Sequence, residues 1–142
     1  MLKSVLQDFP KADIDVSIVW IDMLPNDSAA AAAKSAKIFD DPRVRQFHDP
    51  RGSRLAGKAF AHGLIREGAG VAWDIYMFYD KDARWDKNPP KPTDWLHQLG
   101  GGRRADPDRF RTGEGLVSQL HDSMERSFPA DDDAAGDHGP DR

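Results

Sequence analysis

Residues 14–23, IDVSIVWIDM, constrain the fold more than any other stretch. The run is too short and too rich in β-branched residues to prefer a helix, and its length suits a strand. It begins with polar–apolar alternation and then turns apolar on both faces. That pattern belongs to a strand covered by helices on both sides, the central strand of a small α/β sheet.

Apolar stripes and turn residues place the other elements around it. Leu2, Val5, Leu6 and Phe9 share one helical face, and Pro10 ends that helix. Pro25–Ser28 forms a turn whose Asp27 or Ser28 caps a helix over 29–39. Its alanine run would let a neighbouring sheet approach closely. Residues 44–48 form a short strand between prolines, and 54–62 a helix stopped by Gly63. A glycine-bearing link over 67–70 leads to a second strong strand, 71–79. Asp80–Asp82 is expected to turn that strand back through 83–85 as a hairpin. Residues 86–92 are proline-rich and irregular, and 94–99 read as one helical turn. Gly100–Asp106 reads as a loop, and Thr112 caps a last helix over 114–128. The order α–β–α–β–α–β–β–α implies parallel pairing through right-handed crossovers, with an antiparallel hairpin at one edge.

Composition narrows the function classes. The 142 residues suit one domain, spanning 1–128, followed by an acidic tail over 129–142 that has nothing to bury and is expected to be disordered. The net charge of −4 matches the five Asp and one Arg of residues 130–142, which leaves the folded part near neutral and argues against nucleic acid. No apolar run approaches the roughly 20 residues that span a bilayer, and the first residues do not read as a signal peptide. No membrane role is expected, and a cytoplasmic location is the default. With no cysteine, the chain has no disulfide, thiolate metal site or dithiol cycle of its own.

The order of elements, together with VWIDMLPNDS at 19–28, DPRVRQFHDP at 41–50, AWDIYMFYDKDARW at 72–85 and WLHQLG at 95–100, resembles a poorly characterised bacterial group of thioredoxin-like proteins. The resemblance covers nearly all of 1–128. It implies a three-layer α/β fold, a mixed sheet with flanking helices, that is N-terminally incomplete. In that family a strand and a Cys-x-x-Cys pair at a helix start carry the redox chemistry. Here both would lie before Met1, and 72–74 holds no proline where the family has a cis-proline. No catalytic residue can be carried over. Two readings stay open: a shortened domain without redox activity that binds protein or peptide, or a thiol–disulfide oxidoreductase whose Cys-x-x-Cys lies upstream of Met1. The abrupt mid-helix start favours the second.

Four groups of residues are candidates for chemistry or recognition. Trp73 and Asp74 lie where thioredoxin-like folds meet partners; Trp73 would supply apolar contact and Asp74 a hydrogen bond, with Arg84 across the expected hairpin as its counter-ion. Core packing and capping are the simpler account. His48 and Asp49 end a strand near Arg51 and Arg54, a candidate anion site for which Asp49 as a turn cap is the plainer reading. His48, Asp74 and His97 have no local ligand spacing, so no metal and no cofactor are expected. Trp85 and Trp95 flank the proline segment and would pin it to the domain. A sheet edge left without its strand would favour a homodimer.

Overall fold

A computed structural model describes residues 2–61, 70–100 and 105–128. The expected link over 67–69, the stop at Gly63 and the tail over 129–142 lie outside the described residues. The elements are α1 (Leu2–Asp8), β1 (Val16–Ile21), α2 (Ala29–Ala36), β2 (Val44–Asp49), α3 (Leu55–Ala61), β3 (Ile75–Phe78), β4 (Asp94–His97), a 3₁₀ turn (Pro107–Arg109) and α4 (Gly113–Ser127). The chain is mixed α/β, and none of its described helices is long and apolar enough to cross a membrane.

The sheet is split. β1 pairs with β2 in parallel, from Val16 opposite Val44 to Ile21 opposite Asp49, and β3 pairs with β4 antiparallel, from Ile75 opposite His97 to Phe78 opposite Asp94. Among the described residues no ladder joins the two pairs. This corrects the expectation of a central strand. Among the described residues β1 has a neighbour on one edge alone, and its Val16, Ile18, Val19, Trp20 and Ile21 are half-buried rather than buried.

The main core lies between α1, α4 and one face of β3–β4. Val5, Leu96, Leu116, Leu120 and Met124 are buried there, with Phe9, Ile14, Tyr76 and Phe78 packed against them. The stripes of α1 and α4 face each other as their spacing requires. A smaller cluster of Trp95, Leu99 and Ala105, joined by Trp73, Ile75 and Met77, occupies the other face of β3–β4.

Three local expectations fail for identifiable reasons. The partner of β3 is 94–97, not 83–85, and 94–97 is a strand rather than a helical turn. Trp95, Leu96 and His97 are all buried, so burial of three successive residues outweighed the helical reading. Ser28 caps α2 by accepting the Ala31 N–H at 3.2 Å, but α2 buries no residue. α2 nonetheless lies against β2, where Gln46 holds the helix end by donating to Ala36 O at 2.9 Å. Thr112 sits at the cap position of α4 without a side-chain hydrogen bond.

Candidate functional site

The open edges of β1 and β3 are defined by hydrogen-bond phase. Val16 N–H donates to Arg43 O and Asp22 N–H to Asp49 O, so the even-numbered residues of β1 bond towards β2. Ser17, Val19 and Ile21 turn their backbone groups to the other edge. On β3, Gln98 N–H donates to Asp74 O, which turns Ile75 and Met77 away from β4. None of these five residues makes a backbone hydrogen bond at its outer edge among the described residues.

The end of β1 and the segment that leads into β3 meet at α3. Ile21, at the end of β1, and Val71 and Ala72, just before β3, all crowd Gly57 of α3, and Ala72 N–H donates to Gly57 O at 2.7 Å. A Cβ on Gly57 would stand 2.5 Å from Val71 Cγ1, so the glycine permits this close approach. Ile14, before β1, packs against the main core, as Tyr76 and Phe78 of β3 do. Among the described residues no ladder pairs β1 with β3.

Trp73 and Asp74 stand at the start of the β3 edge. Trp73 is half-buried against the Trp95 cluster. Asp74 adopts φ +51°, in the left-handed region, where Asp is tolerated but costs strain. The residue is exposed overall, while burial on its protein side pushes its carboxyl pKa up. Burial also raises the Tyr76 phenol, with the Asp74 charge adding to the effect; Gln98, which donates to Tyr76 at 2.9 Å, opposes it. Arg84 is not the partner of Asp74. With no strand at 83–85, it donates instead to Lys81 O and Ala83 O, both at 3.3 Å. The Asp74 carboxylate has no ion pair or hydrogen bond among the described residues.

His48 and Asp49 part company. His48 donates from Nε2 to Asp22 Oδ1 at 2.9 Å, since a carboxylate can only accept. The His48 hydrogen bond leads the effects that hold the Asp22 carboxyl below its usual range, against an opposing push from burial. Asp49, buried, accepts from Leu55 N–H at 2.9 Å and Gly57 N–H at 3.0 Å and so caps α3. The arginines are spent on backbone: Arg51 donates to Leu24 O and Arg54 to Asp22 O. Asp49 is thus committed to the α3 cap, and each arginine is held by a backbone carbonyl. Sequence reasoning misses the Asp22–His48 pair because its members are 26 residues apart; the one available signal is an apolar strand ending in Asp beside one ending in His.

His97 does not join His48 and Asp74. It is 1% exposed, donates from Nε2 to Asp106 O at 2.7 Å and accepts the Leu99 N–H at Nδ1. Both ring nitrogens are used, which leaves none for a metal. His121, Asp122 and Glu125 of α4 gather ligand atoms within 4.8 Å of one another; His121 is half-buried, and the two exposed acids are a grouping common without any ion. A notch of about 50 Å³ beside α1, lined by Lys3, Leu6, Gln7, Phe39, Asp40 and Asp41, is far below the ~300 Å³ of a small-molecule site. Trp85 packs on Phe60 and Tyr79, with ring centroids 5.2 and 6.1 Å away, and pins the proline segment as expected.

The chain matches no family model, no curated protein and no solved structure.

Proposed function

We propose that this chain is a thioredoxin-like domain without dithiol chemistry in this form, acting as a module that binds protein or peptide at the Trp73–Asp74 end of β3. The observation that supports this most is Asp74, a partly desolvated carboxylate without a partner among the described residues, held in left-handed backbone beside an aromatic side chain and a strand edge unpaired among those residues. Strain and lost solvation kept without internal compensation are a feature of recognition surfaces.

Two measurements test it. In an insulin-reduction assay with excess small-molecule thiol, the chain gives no turnover above background; measurable turnover contradicts the reading. Asp74→Asn raises thermal stability by under about 1 kcal/mol at neutral pH, because the amide needs no charge solvation and tolerates positive φ. The sign follows from the raised acid: the native state holds its proton more tightly than the unfolded chain. Asp74 therefore lowers stability above its native pKa, and the difference between wild type and the D74N variant vanishes as pH falls below the unfolded value near 3.9. A loss of stability in D74N, or a gain independent of pH, contradicts an unpaired carboxylate.

The bare edges of β1 and β3 favour a second reading, in which a longer form carries a further strand and a Cys-x-x-Cys motif and acts as a thiol–disulfide oxidoreductase. Translation of the DNA upstream of Met1, in frame, tests it. A stop codon before any strand-like stretch and paired cysteines removes this reading.

A further inference from the structure

We infer that His121, Asp122 and Glu125 of α4 form a surface site for a divalent ion of the zinc class, held by His121 Nδ1 and the two carboxylates, with Asp8 of α1 positioning the imidazole. It does not depend on a peptide binding at Trp73 and Asp74.

Exposed acids on a helix are common without an ion. The imidazole and its surroundings set this group apart. His121 and Glu125 are four residues apart, which puts both on one face of α4. Nδ1 of His121 lies 3.5 Å from Glu125 Oε1. That exceeds the ~3.2 Å reach of an N–H···O hydrogen bond and matches the ~3.4 Å between two donors that share one zinc at ~2.1 Å. Asp122 brings the third donor, with one atom from each residue within 4.8 Å of the other two. Asp122 and Glu125 are exposed, so their carboxylates can rotate inwards without disturbing the core.

His121 is held in place from α1. Its ring packs on Phe9 with centroids 4.8 Å apart, and its Nε2 faces Asp8 Oδ2 at 4.0 Å. A carboxylate on the nitrogen opposite the ion fixes the tautomer and turns Nδ1 outwards as an acceptor. Among the described residues, Asp8 and Glu125 have His121 as their ion-pair partner, Asp122 has none, and neither Lys nor Arg pairs with any of the three. Three carboxylates around one imidazole are thus left without a cation, and a divalent ion supplies it. One imidazole with carboxylates suits zinc and its transition-metal neighbours, whereas magnesium and calcium favour oxygen donors throughout. Because Asp8 and Phe9 reach His121 from α1, an ion bound there also tightens the contact between α1 and α4 that frames the main core.

Zinc chloride alone, titrated into the full chain and followed by NMR of the imidazole nitrogens and side-chain carboxyls, tests the site. The expected result is a shift of His121 Nδ1 together with the Asp122 and Glu125 carboxyls, while magnesium at the same concentration moves none of them. With zinc at ten times its Kd, Tm rises by about 5 °C. E125Q, which replaces an exposed carboxylate, weakens zinc binding about tenfold with unchanged circular dichroism, and H121A abolishes the thermal shift. D8N weakens binding by a smaller factor while coordination stays at Nδ1. Zinc that perturbs other histidines but not His121, or that binds E125Q as tightly as wild type, overturns the site. So does an equal response to magnesium, which would mark general screening of surface acids. Coordination through Nε2 overturns the role given to Asp8 and with it the assigned geometry.

Discussion

Arg43→Ala is expected to lower the stability of the domain by about 3 kcal/mol, with Tm falling by about 10 °C in a thermal melt. Arg43 stands where α1, the turn before β1 and the entry to β2 meet. Its guanidinium donates to Leu6 O at 3.0 Å and Phe9 O at 2.6 Å, carbonyls at the end of α1 that have no helical partner. It also binds Asp41 through Nε at 3.0 Å and Nη2 at 2.7 Å, a bidentate pair whose side chains are 19% and 24% exposed. Removing it strips the end of α1 and leaves a half-buried carboxylate alone. Lysine restores little, since a point charge cannot fork to a carboxylate and two carbonyls together.

The same pair has a pH signature. The Arg43 side chain, then its backbone N–H, hold the Asp41 carboxyl at about 2. A depressed acid stabilises the native state above its unfolded value near 3.9, and that contribution is lost as pH falls through about 2. In the Arg43→Ala variant, the Asp41 titration followed by NMR moves up towards the ordinary carboxylate range. An unchanged Asp41 titration contradicts the assignment.

Asp49→Ala carries the next largest effect, a loss of about 2 kcal/mol measured by denaturant unfolding. The carboxylate caps α3 through the Leu55 and Gly57 amides, and Gly57 is buried where α3 meets Ala72. Alanine leaves a buried N–H without a partner and loosens the helix that ties β1 to β3. Asparagine recovers part of the loss, because its side-chain oxygen can still accept one of the two bonds. Wild-type stability in D49A would mean that the two amides find other acceptors.

Much of the order of elements is legible in the sequence, because periodicity reports which face of a segment is buried. The Val5–Leu6 stripe of α1 and the Leu116–Leu120–Met124 stripe of α4 follow from spacing alone and form the core. The 94–97 strand does not, since its short apolar run with a histidine carries no decisive period and its role depends on contacts with Ile75 and Phe78. Arg43 is hidden for a related reason: its acceptors are backbone carbonyls up to 37 residues away, which side-chain identities do not reveal. Asp49 is visible as a turn cap, whereas the bare outer edge of β1 contradicts its expected place inside a sheet. Arg84 could face Asp74 only across a hairpin that does not form.

The binding proposal depends on β1 and β3 each having one unpaired edge. Amide hydrogen exchange on the isolated chain tests this most directly. Ile18 and Trp20, which bond towards β2, are expected to exchange slowly, while Ser17, Val19, Ile21, Ile75 and Met77 exchange at least about tenfold faster. Equal protection of both sets in a dilute, monomeric sample would show that the edges are already paired, and the split sheet would be wrong.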